Sequence, residues 1–257
     1  MNSFFKLFAL FLIVEMLTSC EKIIEVNIND KDPQFVIEGF VTLGETTHRV
    51  SITKSQNLSA ATVAPTIDNA VVVLSDDLGN AQTMTLVAPG IYEVNSYPVA
   101  EGRTYSLSVN IAAEVFVASG TMMQDIPLDT LQTFAFSFGP ASINALVPVR
   151  QDLAGIKNFY KFSIFSNQLE IEGINIQDDE YNDGNLMQQP IFVDGVESGD
   201  TVRVEMYGID NAVYDYFYTL QQNEAGATPA NPTSNFSGGC LGYFSVRTKS
   251  VKEIIIP

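Results

Sequence analysis

From Phe35 onward apolar residues recur at every second position, and Gly, Pro, Asn and Asp cut the runs at intervals near ten residues. A strand turns successive side chains to opposite faces, so this alternation is the imprint of half-buried sheet. Phe35, Ile37 and Val41 alternate with Glu38 and Thr42, and His48–Thr53 and Ala70–Ser75 continue the pattern. Turns at Asp76–Asn80 and Pro89-Gly90 bracket a strand over Ala81–Ala88 and lead into Ile91–Val94. The clearest strand interleaves Tyr105, Leu107, Val109 and Ile111 with Ser106, Ser108 and Asn110. Short strands at this spacing predict a mainly β fold that begins with an Ig-like, transthyretin-like β-sandwich over residues 33–125.

Pro127 interrupts any ladder in Ile126–Asp129 and marks a boundary there. Thr130–Phe138, Asn158–Ser166 and Thr201–Tyr207 then read as strands of a second β-rich domain over 126–257. After Asp210 the period changes to that of a helix, with Val213, Phe217, Leu220 and Tyr216 on one stripe. Asp210 or Asn211 can cap it, Gly226 ends it, and Pro229 and Pro232 prevent its resumption, which places one helix near 211–224. Gly242–Thr248 and Val251–Ile256 finish the chain as strands.

The first residues carry a different signal. Lys6 precedes an apolar run from Leu7 to Val14, followed by Leu17-Thr18-Ser19-Cys20. A cationic start, a short apolar stretch and small residues before a cleavage point predict an export signal over 1–19. The run is too short for a bilayer span, which needs roughly 20 apolar residues. Leu17–Cys20 resembles the bacterial lipobox, although Glu15 interrupts the apolar region and Ser19 stands where Gly or Ala is usual. Cys20 is therefore the expected lipidation site, carrying fatty acyl (palmitate) chains, with 20–32 as a tether. The acids behind Cys20 are interrupted by Ile23, Ile24 and Val26, so exposure at the cell surface and at the periplasmic face both stay open. Once Cys20 is acylated, Cys240 has no disulfide partner, and its apolar setting reads as a small buried hydrophobe.

Lys and Arg number 13 against 30 Asp and Glu, for a net charge of −17. Affinity for nucleic acid needs cations to displace counterions, so that class of partner is excluded. No phosphate-cradling or dinucleotide glycine motif occurs, and no cofactor is expected. His48 is the single imidazole and no Gly-x-Ser-x-Gly elbow is present, so neither a serine triad nor a zinc site is written here. The densest acidic cluster, Asp178-Asp179-Glu180-Tyr181-Asn182-Asp183-Gly184-Asn185, offers Asp178, Asp179 and Asp183 as calcium candidates. It misses the helix–loop–helix pattern, because Tyr181 falls where Asp or Asn is needed, and it equally suits a solvated turn. Tyr214 and Tyr218, four apart and off the apolar stripe, are candidate partner-binding residues.

Three segments together resemble a known family: Cys20–Lys22 with Phe35–Gly39; Gly199–Val204 with Tyr214–Phe217; and Asn231–Phe244, whose Asn-Pro…Gly-Gly-x-Leu-Gly-Tyr-Phe order is the most specific. The mature chain is similar to the Bacteroidota outer-membrane lipoproteins of domain of unknown function 4249. Ala70–Ile111 also resembles the non-catalytic carboxypeptidase regulatory-like sandwich. The resemblance implies an outer-membrane anchor through acylated Cys20 and company with a TonB-dependent receptor, with no catalytic residue to carry over. The expectation is a non-catalytic, lipid-anchored accessory protein of such a transporter. An independent glycan- or peptide-binding surface module is the alternative, and a hydrolase the third.

Overall fold

Eight strands fold the first part of the chain into two facing sheets: β1 (Phe35–Thr42), β2 (Thr47–Lys54), β3 (Val71–Asp76), β4 (Ala81–Thr83), β5 (Thr85–Ala88), β6 (Ile91–Asn95), β7 (Thr104–Ile111) and β8 (Glu114–Thr121). The computed structural model describes residues 32–56, 63–138, 141–224 and 231–257, the side chains of 135–143 and 224 excepted. The expected signal peptide, Cys20 and the tether before Asp32 lie outside the described residues. β4, β3, β7 and β8 form one sheet, and β1, β2, β6 and β5 belong to the other. Alternation does the work the sequence predicts: Tyr105, Leu107, Val109 and Ile111 are all buried, sharing one core with Ile37, Val50 and Ile52. Each such side chain contributes roughly 1.5–3 kcal/mol when removed from water.

The strand expected over Ala81–Ala88 is two strands. The Met84 amide donates to the Val72 carbonyl at 2.8 Å and its side chain is buried. At that point the chain crosses from the sheet of β3 to the sheet of β6. Local alternation cannot show which sheet a residue joins.

A second sandwich follows from β9 (Thr130–Phe138), β10 (Ala141–Gln151), β11 (Phe159–Ser166), β12 (Leu169–Asp178), β13 (Leu186–Met187), β14 (Ile191–Val193), β15 (Thr201–Ile209) and β17 (Ser250–Ile255). One sheet centres on β10, which pairs with β9 on one edge and with β13 and β14 on the other; the second runs β12–β11–β15–β17. Leu146, Tyr160, Phe162, Ile164, Val202 and Val204 fill the space between them.

β16 (Leu241–Arg247) lies late in the chain but belongs to the first sandwich. It runs parallel to β1, from Val36↔Leu241 to Thr42↔Arg247. The preceding residues stitch it in. The Asn235 side chain accepts from the Phe244 amide at 2.9 Å and donates to the Phe244 carbonyl at 2.8 Å. Ser237 bridges to Val117 of β8, and Phe236 and Cys240 enter the first core. The strand set of 33–125 is thus completed by 241–247, and Pro33–Pro257 forms one compact unit. Among the described residues every other strand pairing is antiparallel.

The helix, α1 (Asn211–Glu224), covers the outer face of the β12–β11–β15–β17 sheet. Val213, Tyr216 and Phe217 pack on Phe159, Tyr207 and Ile209, and Tyr243 of β16 joins them with its ring 4.9 Å from those of Tyr216 and Phe217. Asp210 caps it: its carboxylate accepts from the Val213 amide at 2.9 Å. Burial raises the Asp210 carboxyl from its usual range, and the capping amides pull it back only in part. We expect Asp210→Ala to cost about 1 kcal/mol in urea unfolding, the usual value of a lost N-cap. A loss within error of zero would mean that packing alone positions α1. Among the described residues no helix is long and apolar enough to cross a membrane.

Candidate functional site

The residues with candidate chemistry gather at one end of the second sandwich, where the loops 152–158 and 179–185 meet the first turns of α1. Asp178 does not face the other acids. Its carboxylate accepts from the Glu180 amide at 3.1 Å and from the Tyr214 hydroxyl at 2.9 Å. Burial, with that bond and the Asp178 charge, raises the Tyr214 phenol well above its ordinary value. Asp179 and Asp183 do converge, and they meet Asp152, which sequence reading missed; oxygens of the three lie within 4.8 Å of one another.

Backbone donors hold this triad. Asp179 accepts from the Asn158 amide at 2.8 Å, Asp183 from the Gly155 amide at 2.7 Å, and Asp152 from the Gly184 amide at 2.9 Å. Each loop therefore grips the other through a carboxylate. Burial raises the Asp179 carboxyl, and the charges of Asp152 and Asp183 add to that effect. The compensating cation is Arg150, wholly buried, with its guanidinium 3.9 Å over the Tyr160 ring and donating to Gln177 Oε1 at 3.1 Å. Burial lowers its pKa, opposed by Tyr160 and by the Asp152 and Asp179 charges. A carboxylate cluster so knitted is a latch between loops, with a cavity of about 400 Å³ opening beside Lys157, Glu180 and Asp183.

Next to the latch the aromatics form a short stack. Phe159 meets Tyr214 at 4.9 Å, and Tyr214 lies nearly parallel to Tyr218 at 6.2 Å. Tyr214 is tied down through its hydroxyl, whereas Tyr218 is 47% exposed and presents a ring to solvent. The structure thus brings Tyr214 and Tyr218 into one surface feature beside the acidic cavity.

Among the described residues, the two groups with classical reactivity lie elsewhere and are buried. Cys240 sits in the first core, and burial pushes its thiol up to about 11, which leaves little thiolate at neutral pH. His48 is 1% exposed, on the inward face of β2, and neither ring nitrogen makes a well-formed hydrogen bond among the described residues. Burial lowers its pKa from the ordinary value of 6.5, partly offset by the Tyr97 backbone and Glu45. A depressed base is protonated more readily in the unfolded chain. Its stabilising neutrality is therefore complete above pH 6.5 and lost as pH falls below that value. We expect the unfolding midpoint to drop between about pH 7.5 and pH 5.5, and His48→Leu to flatten that part of the profile. An unchanged slope in the variant would remove His48 as the cause.

Among the described residues the fold is a pair of β-sandwiches with one covering helix, and the tyrosine stack beside the acidic latch gives it a solvent-facing feature of mixed chemistry. The family model for domain of unknown function 4249 matches residues 21–253, and the chain belongs to that family. Among solved structures, a two fibronectin type III domain segment from chicken tenascin is similar over 69% of this chain and 91% of its own, at 11% identity and a TM-score of 0.24. No curated protein matches the chain. The specific Asn231–Phe244 motif has an architectural role: its residues seat β16 against β1.

Proposed function

We propose that the protein is a non-catalytic lipoprotein of a Bacteroidota outer membrane, anchored through acylated Cys20 and serving as an accessory to a TonB-dependent transporter. The observation that carries this reading is the Leu17–Cys20 sequence behind a cationic start and a short apolar run. The burial of His48 and Cys240 supports a scaffold role, since each is held in its neutral form away from solvent. Anchoring confines the sandwiches to the membrane plane, so weak contacts with a neighbour suffice at the resulting effective concentration.

The test is mass spectrometry of the mature N-terminus, with isolation of neighbours after mild detergent extraction of outer membranes. A diacylated or triacylated Cys20 and a co-purifying transporter are expected. A mature chain starting elsewhere with an unmodified thiol sinks the anchor, and a bare lipoprotein with no stable neighbour sinks the accessory role.

The tyrosine stack favours a second reading, a glycan-binding surface module. An exposed aromatic ring beside carboxylates suits the apolar face and hydroxyls of a sugar. Chemical-shift or tyrosine-fluorescence titration with oligosaccharides, lost in Tyr218→Ala, would favour this reading over the first.

A further inference from the structure

From Thr130 to Val149 the chain has no ionisable residue, although its net charge is −17. This stretch is β9 and β10, whose pairing continues from Val149↔Thr130 to Ala141↔Phe138. β14 flanks β10 only at Asn144, Ala145 and Leu146. Beyond Asn144, toward residues 138 and 141, the described pairing is a two-stranded ribbon. The register opposes positions 134, 136 and 138 to 145, 143 and 141, so Phe134, Phe136 and Phe138 share a face with Ala145, Ile143 and Ala141. Phe192 lies opposite Ala145 on the same face. The other face pairs Ser137 with Ser142 and Ala135 with Asn144. Of the described residues on this face, Phe134 is 51% exposed and Phe192 60%, and the two flank a wholly buried Ala145.

The chemistry of the face selects its partner. Protein interfaces are anchored by Tyr, Trp and Arg and ringed by polar groups that fix orientation. This ribbon has no Tyr, Trp or Arg, and no charged residue of either sign, between Thr130 and Val149. Phenylalanines in a row need an apolar medium rather than a shaped pocket. The strongly negative remainder of the molecule is repelled by anionic headgroups, so the surface must be uncharged overall. The edge of β10 beyond Asn144 has no partner strand among the described residues, and unpaired amides are costly in hydrocarbon, so insertion is shallow.

We propose that the β9–β10 ribbon is a membrane-docking surface that lays its phenylalanine face into the headgroup–acyl boundary of a zwitterionic bilayer. Its biological setting rests on the outer-membrane reading above, but the contact does not require acylation. It would fix the orientation of the sandwiches, which a flexible tether alone leaves free.

The test uses the chain from Glu21 onward, which retains the whole compact unit and carries no acyl group, with phosphatidylcholine vesicles. Flotation with the vesicles is expected, weakened about tenfold for each phenylalanine removed in Phe134→Ser and Phe134→Ser/Phe192→Ser. An unchanged thermal midpoint checks that these variants fold. Because the protein has no Trp, a separate Phe134→Trp variant places a single indole reporter on the face. Its emission is expected to shift to the blue and be quenched by brominated acyl chains. Failure of the unsubstituted chain to float, equal flotation of the serine variants, or an indole emission unmoved by vesicles overturns the proposal. So does a lipid-independent dimer abolished by the same serine variants, which would assign the face to a second copy. An unmodified Cys20 in cells would remove the anchor but leave the vesicle result standing, so the two failures are separable.

Discussion

Gly242→Ala is expected to destabilise the protein by about 4 kcal/mol or more, combining left-handed strain with overpacking against backbone. Gly242 has φ +93°, and a Cβ there would fall 2.0 Å from the Ile37 carbonyl oxygen, with the Ile37 nitrogen at 2.9 Å. The obstacle is main chain of β1 in register with Gly242, so no side-chain rotation relieves it. Gly239 is the internal control. It also has a positive φ, +87°, but a Cβ there meets nothing within 4 Å. Gly239→Ala should therefore cost only about 1–2 kcal/mol of backbone strain. Urea unfolding of the two variants side by side gives the comparison. Equal losses would mean that β16 does not approach β1 as closely as the parallel register requires.

Arg150→Met comes next, at about 3–5 kcal/mol near neutral pH, the usual cost of leaving a buried charge without its partner. Methionine keeps much of the volume over Tyr160 and Phe162 but withdraws the cation from Asp152 and Asp179. The sign with pH follows from Asp179. Its carboxyl is already raised above the ordinary 3.8, so its charged form is the disfavoured one in the folded state. Without Arg150 the penalty is largest at neutral pH and shrinks as pH falls and the carboxylates take up protons. A loss equal at about pH 7 and pH 4 would show that the guanidinium acts through packing alone.

The parts of this fold that were legible are those written in local periodicity. β1, β2, β3 and β7 show the alternation expected of them, β15 shows it only as far as Val204 before burial becomes continuous, and α1 begins and ends where Asp210 and the residues before Gly226 set it. β10 was not legible because Pro148 sits within it and successive positions from Ala145 to Val149 are all apolar and buried or nearly so, which erases the period. β12 escaped because Gly173, at φ +141°, and a register shift in its pairing with β11 break the period. The acidic latch was half visible. Asp179 and Asp183 lie in one polar run, whereas Asp152 reaches them from a separate loop across the end of the sandwich, a proximity no spacing rule encodes. Tyr214 and Tyr218 lie off the apolar stripe as their spacing requires, but only the geometry shows one bonded to Asp178 and the other open to solvent.

The parallel seating of β16 also sets a schedule for synthesis. Thr42 and Arg247, joined by a 3.1 Å hydrogen bond, are 205 positions apart. A chain that leaves the ribosome N-terminus first cannot finish its leading sandwich until almost everything behind it has emerged. That edge waits, unpaired, through nearly the whole of synthesis, and closing so long a loop is slow. Any chaperone that meets the nascent chain is thereby handed a defined client: an early sheet missing its last strand.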